Sequence, residues 1–391
     1  MPGRMDFSRR TAIDDAPNAL AEAVARVRRD GGELLDLTVG NPTTAGLPYD
    51  ARAILEALAD PRALVYAPEP LGLDVAREAV ARDWAARGVA VDASRIALTA
   101  STSEAYAVLF KVLCDPGDEV LVPAPSYPLL GFLAAFESVT LVPYPLVHAD
   151  RWHVDLGALR AAVTPRTKAI VVVNPNNPTG SYLGEDELEA MLDLELPIIS
   201  DEVFATYPLA APAGRVATVV HATRGLVFAL SGLSKLAALP QLKLGWIGVA
   251  GEHALVARAM KRLELVLDTF LSVATPIQLA LPTILARRVV TEEAIRARTR
   301  VNLEVLRAAL GSAPSARVLG VEGGWYAIVR VPETQSDEAW ALALVEAGVQ
   351  VQPGYFFDMG RGAHLVVSLL TPEDVFAEGA SRIATYVRGE E

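Results

Sequence analysis

The chain of 391 residues has one cysteine, Cys114, and five histidines. A single thiol excludes an internal disulfide and fits a reducing compartment. One Cys and five scattered His build no zinc framework, so no metal site is expected. There is no excess of positive charge either. The formal net charge is -12, which argues against sequence-independent nucleic-acid binding. Apolar runs such as Ala169 to Val173 are too short to span a bilayer, and no apolar run after Met1 to Arg10 reads as a signal peptide. A soluble, cytoplasmic protein is expected, without nucleic-acid or membrane partners.

Lysine is also scarce. Lys111, Lys168, Lys235, Lys243 and Lys261 are the only ones among 35 basic residues. Two of them lie eight residues apart in an apolar stretch, in Ser231-Gly232-Leu233-Ser234-Lys235 and Lys243-Leu244-Gly245-Trp246. Arg keeps its proton at working pH, whereas a desolvated Lys can become a free amine and form a Schiff base.

What is abundant is apolar surface. Hydrophobic residues make up 52 % and charged residues 21 %, the balance of an ordered globular protein with room for two or three domains. Pro17 to Asp30 has helical periodicity and stops at Gly31-Gly32. From Gly72 onward, helical segments alternate with short Val/Ile/Leu runs at Arg95 to Thr99, Glu119 to Val122, Lys168 to Val173, Pro197 to Ser200, Leu226 to Leu230 and Leu244 to Ala250. That alternation implies an α/β fold with a mainly parallel sheet covered on both faces. Past His253 come long helices, then strand-like pieces at Val318 to Val331, Val349 to Gln352 and His364 to Leu369. These form a smaller unit.

In an open parallel sheet, ligands bind beyond the strand ends. Ala100-Ser101-Thr102-Ser103-Glu104 opens a helix after a strand, which makes a phosphate cradle from free N–H groups; it is also an ordinary capping box. Asn174-Pro175-Asn176-Asn177-Pro178-Thr179-Gly180 fixes a rigid turn that holds an Asn at the sheet edge. Asp201-Glu202 follows Pro197-Ile198-Ile199-Ser200, where a buried carboxylate needs a cationic or hydrogen-bonding partner. Together the residues fit pyridoxal 5'-phosphate. Lys235 gives the Schiff base, Asp201 holds a ring nitrogen protonated, and Asn177 donates to the phenolate. Tyr127 stacks on the ring, while Ser101, Thr102 and Lys243 take the phosphate.

At this point the chain resembles the class I/II aminotransferases of the aspartate aminotransferase-like fold, fold type I, over nearly its whole length. Leu37-Thr38-Val39-Gly40-Asn41-Pro42, Tyr66 with Gly72, Pro116-Gly117-Asp118-Glu119-Val120 leading to Tyr127, Asn177-Pro178-Thr179-Gly180, Asp201-Glu202 and Ser234-Lys235 follow the family's order. The resemblance implies a large cofactor domain at 46–290. It also implies an arm and part of the small domain at 1–45, and a C-terminal small domain at 291–391. It implies a homodimer in which Tyr66 reaches the partner's phosphate, and substrate contacts from Gly40 and Asn177. The partners it implies are a small amino donor and a keto-acid acceptor.

The chain departs from the family at several positions. Ser101 stands for Gly, Lys243 for Arg, Phe204 for Tyr, and Gly232 for a serine that Ser231 or Ser234 would replace. The hydroxyl missing at Phe204 would have to come from Tyr207 or another donor. Val366 stands where the family has the Arg that pairs with the substrate α-carboxylate, and Arg361 is the nearest replacement. A β-eliminating lyase on the same scaffold, or a non-catalytic cofactor-binding regulator, are the alternative readings.

Overall fold

The computed structural model describes residues 7–12, 18–210, 213–271 and 273–389. The alternating segments build an eight-stranded sheet. Its strands are β1 (Ile96–Thr99), β2 (Glu119–Ala124), β3 (Thr140–His148), β4 (Trp152–Val154), β5 (Thr167–Val173), β6 (Ile198–Asp201), β7 (Leu226–Gly232) and β8 (Gly245–Gly251). The order is β1-β8-β7-β6-β5-β2-β3-β4. The central pairings, from β7 through β6, β5 and β2 to β3, are parallel. At the two ends β1–β8, β7–β8 and β3–β4 are antiparallel. The sheet is therefore parallel in its middle and mixed overall. Short strands with both faces apolar require cover on both sides. One face packs on Trp84, Met191 and Leu281, the other on Tyr106, Leu130 and Leu263.

The strand β3 has no counterpart in the periodicity, because Pro143 and Pro145 interrupt it. Only Leu146, Val147 and His148 pair with β4, and Pro145 lends just its carbonyl, to the Asp155 amide at 3.0 Å, so the prolines lie before the paired stretch, where no donor is missed.

A second sheet has four strands, β9 (Arg317–Val318), β10 (Tyr326–Val331), β11 (Gln352–Pro353) and β12 (Ala363–Ser368), in the order β9-β10-β12-β11. All its pairings are antiparallel. The single strand-like piece read over Val318 to Val331 is broken between Val318 and Tyr326. One core serves both chain ends. Leu20 and Val24 of the helix Ala19–Arg29 belong to the same core as Phe376 and Ile383 of the helix Glu373–Arg388. Pro17, at the start of the expected first helix, lies outside the described residues, as do Met1 to Asp6 of the segment inspected for a leader. Among the described residues no helix is long and apolar enough to cross a membrane.

Cross-strand register arranges this second sheet in rows. Tyr326 faces Ser368, Ile328 faces Val366, and Arg330 faces His364 on one side and Arg317 on the other. Side chains two apart on a strand share a face, so these rows lie on one face in sequence.

Candidate active site

The ends of β5, β6 and β7 are level, with Val173 beside Asp201 and Asp201 beside Leu230. The Asn174–Asn177 turn, Asp201 and the Ser231–Lys235 turn therefore leave the sheet at one edge. Asp201 is buried, accepting from the Tyr106 hydroxyl at 3.3 Å and from the Val203 amide at 3.2 Å. Burial raises its carboxyl to about 6, against the pull of these hydrogen bonds and of Lys235. Tyr127 lies against the same carboxylate and Tyr106, and its phenol is pushed up by burial first and by the Asp201 charge second. Lys235 is half-buried, and desolvation lowers its pKa, partly countered by Asp201. A lowered lysine pKa favours the free amine.

Glu202, the neighbour of Asp201, has a different task. Its carboxyl, pushed up to about 7 by burial, accepts from the Ser200 hydroxyl at 3.0 Å and the Val219 amide at 2.8 Å, pinning the turn at Val219. The three asparagines divide likewise. Asn174 ties Val216 and Leu183 together, and Asn176 Nδ2 donates to the Pro125 carbonyl and Thr179. Asn177 contributes no such bond, so its Nδ2 is left free to donate, while its buried Oδ1, like that of Asn176, has no partner. A buried amide end left unpaired is costly unless something outside the chain meets it.

The helix Thr102–Leu113 starts beside this edge. Ser101 caps it, accepting from the Glu104 amide at 3.1 Å, while the Glu104 carboxylate takes the Ala100 amide. The capping box is real, and it leaves the helix's positive end pointing outward. Gly245 lies against it, since a Cβ there would come within 3.0 Å of the Ser101 backbone. Lys243, two residues earlier, is exposed, left-handed at φ +49°, and without an ion pair among the described residues. Ser231 is buried and Ser234 half-buried.

Above Lys235 stands an aromatic wall. Its Nζ is 5.3 Å from the Trp325 ring centre and 5.9 Å from that of Phe204. The hydroxyl of Tyr207 is not available to replace the one missing at Phe204. It donates to the Lys235 carbonyl at 2.7 Å and clamps the backbone instead. Gly40 is held nearby, because the Ser368 amide donates to Leu37 and the Ser368 hydroxyl to Val39. A Cβ on Gly40 would lie 3.3 Å from the Tyr326 hydroxyl.

Three expected residues stand apart from this group. Tyr66 is 80 % exposed, beside exposed Leu64 and Val65. Arg361 is exposed on the loop before β12, at the rim of a separate cavity. Val366 is fully buried among Trp152, Leu319, Ile328 and Phe357. No cation occupies that place. Tyr106, Trp325 and Tyr326 were not singled out from the sequence. Gly323-Gly324-Trp325-Tyr326, two glycines before two aromatics at a strand entrance, was the available signal for two of them; Tyr106 had none.

Among the described residues no cluster of three or more metal-ligating side chains occurs. The donor set instead fits a flat cationic heteroaromatic phosphate. It offers the buried carboxylate of Asp201 at the strand ends, an unpaired amide end, a free helix start and an amine. The model of the family described as aminotransferase class I and II matches residues 32–383. Glutamate-pyruvate aminotransferase AlaA of Escherichia coli (strain K12) is 29 % identical over 277 residues, 69 % of this chain and 68 % of that one. Tyrosine aminotransferase of Bos taurus is 26 % identical over 378 residues, covering 90 % and 82 %. The solved structure of an alanine aminotransferase from Pyrococcus furiosus superposes with a TM-score of 0.87 at 24 % identity, covering 98 % and 100 %. At that identity the last likeness speaks for the fold.

Proposed function

Since the chain belongs to the class I and II aminotransferases, we propose that pyridoxal 5'-phosphate sits at the edge of β5, β6 and β7 and is carried on Lys235. The protein is an aminotransferase, acting on an amino donor and a keto acid. Its family uses that cofactor, and the relatives' names give the lyase alternative no support. The observation that carries the placement is the pairing of a buried carboxylate at the strand ends, Asp201, with a half-buried Lys235 whose amine is desolvated.

Each side chain then has a definite task. Asp201 holds the proton on the ring nitrogen, since burial destabilises its ionised form and a cation arriving beside it offsets that cost. Asn177 donates to the ring oxygen, and Tyr127 covers the ring. The backbone at Ser101 and Thr102, with Lys243, holds the phosphate. When bound, the cofactor withdraws electrons from the substrate's Cα. The desolvated Lys235 amine would take and return the proton at the substrate's Cα. Phe204, Trp325 and Tyr207 exclude water from the Lys235 amine.

Tyr66 completes the phosphate site of a second copy in this reading, which makes the protein a homodimer with shared sites. The exposed run Leu64-Val65-Tyr66 supports it. Gly40 and Asn177 hold the substrate carboxylate, while Arg361, the replacement cation expected from the sequence, opens onto the separate cavity and could supply only part of the interaction. A missing bidentate Arg costs roughly 2–5 kcal/mol of binding, so alanine, aspartate and glutamate react slowly and a narrower substrate reacts well. Borohydride reduction followed by peptide mapping tests the reading: the adduct belongs on Lys235, and an adduct on Lys111, Lys168 or Lys261 ends it. A donor screen following cofactor absorbance then names the substrate.

A further inference from the structure

Beyond the wall that buries Val366 lies a cavity of about 580 Å³. Trp152 and Leu319 belong to both, and Ala124 and Pro125, just before Ser126-Tyr127, close its inner side. Its lining includes Arg317, Arg330, Arg361, His148 and His364. In a chain with net charge -12 this is an unusual concentration of cations.

The sheet register makes it costly. Arg317 and Arg330 are directly opposed on β9 and β10, and Arg330 is directly opposed to His364 on β12. Like charges facing each other across strands destabilise a sheet. The opposing charge is incomplete. Glu333 pairs with Arg330 at 2.9 Å, and Asp358 lines the cavity, but Arg317 and Arg361 have no ion pair among the described residues. His364 is only 7 % exposed, and its Nδ1 is buried without a hydrogen-bond partner. His148 Nε2 accepts from the Gly320 amide at 3.3 Å, so in the neutral ring the other nitrogen carries the proton and is a donor. The loop geometry serves the same end. At Gly362, φ +106°, a Cβ would strike His364 at 2.9 Å, so glycine is what lets Arg361 approach this row.

We propose that this cavity is a binding site for an oxyanion, the phosphate or carboxylate of a small organic molecule, recognised by Arg317, Arg330, Arg361 and His364. The Arg330–His364 row lies two residues along the strands from Ile328–Val366, about 7 Å at roughly 3.4 Å per residue. The cation missing at Val366 is thus displaced one row outward. In the amine-transfer reading above, on which this part rests, the anion is a remote acid group of the substrate. The same chemistry would also hold a separate free anion. Binding couples to protonation. His364 is depressed by burial and Arg330 against Asp337 and Glu333, and His148 by burial, Arg317, His153 and Arg330 against Asp150. An arriving anion offsets the arginines, so protons are taken up and binding tightens as the pH falls.

Calorimetric titration of the cofactor-loaded enzyme with inorganic phosphate at low ionic strength tests the site without requiring turnover. Phosphate should bind with proton uptake, and Arg317→Ala and Arg361→Ala should each weaken it at least tenfold. Both side chains are exposed, and Arg317→Gln with an unchanged melting temperature guards against misfolding. The source is read from the half-reaction. If the anion is part of the substrate, the kcat/KM ratio of ω-aminohexanoate over hexylamine falls at least tenfold in Arg317→Ala. If phosphate binding weakens but that ratio holds, the site takes a free anion. No phosphate binding, or binding equal in parent and variants, together with an unmoved ratio, overturns the proposal. Borohydride trapping at Lys235 reports separately on the transferase reading.

Discussion

The polar edge that bears Lys235 and the apolar wall around Val366 are built on opposite plans. On the large-sheet side, polar groups are buried one at a time, each short of a partner: Asp201 without a cation, Asn177 with an open amide end, Lys235 with a desolvated amine. On the small-sheet side, the interior is apolar, with Val366, Ile328, Phe357 and Trp152 packed together and the arginines out on the rim. In the proposed reading the first supplies the groups for amine transfer, and the second would set which molecule reaches them. The absence of a cation at 366 would then change the substrate range rather than the chemistry.

The largest effect on rate is expected at Asp201. In Asp201→Asn the amide cannot hold the ring proton, and the half-reaction should fall about 10²–10³-fold, as when one preorganised electrostatic partner is removed. A loss of only a few-fold would mean that the carboxylate merely organises Tyr106 and Val203, and the contrast between the walls would collapse.

Next comes Val366→Arg. A guanidinium forced among Trp152, Phe357 and Ile328 is an unpaired buried charge, which costs about 3–5 kcal/mol. Denaturant midpoints should show it. If stability holds and alanine or glutamate turns over faster, the wall is an open carboxylate site and the apolar description is wrong.

A smaller effect has the opposite sign from the first. The folded apoprotein raises Asp201 from 3.8 to about 6. Ionising it therefore costs the folded state, and stability is lost as pH rises from 3.8 through about 6. At about 1.4 kcal/mol per unit the loss is about 3 kcal/mol. Apo Asp201→Asn should then melt above the apo parent at about pH 8, with the gap closing below about pH 4. A parent that is the more stable at pH 8 would place the carboxylate among structural groups.

The smallest is Phe204→Tyr. A hydroxyl restored there should lower the pH midpoint of the bound cofactor's absorbance by about one unit, since a donor to an ionised oxygen favours that form. An unmoved midpoint would mean that another donor, with buried and unpaired Trp325 Nε1 the first to test, already serves.

The large-sheet wall was the more legible of the two. Lys235, Asp201 and the Asn177 turn follow strands directly, so local sequence carries both the residue and its place. The antiparallel ends of the sheet and the strand Thr140–His148 were not legible, because pairing direction is set by distant partners and two prolines masked the period. Nor could sequence show that the Tyr207 hydroxyl is spent on a backbone carbonyl. The row of Arg317, Arg330 and His364 joins residues far apart in the chain, and only the register brings them level.

That tyrosine clamp has a kinetic consequence. The Tyr207 hydroxyl fixes the Lys235 carbonyl, and the Tyr49 hydroxyl fixes that of Ala238 at 2.9 Å, so the short helix bearing the lysine is moored on both flanks. If Lys235 carries the cofactor as proposed, freeing its amine would release only the side-chain torsions, and the pivot would stay. The amine would then sweep a small volume around a fixed point, with an effective molarity far above that of any dissolved base. The proton carrier of the proposed reaction would already be in place for the return step.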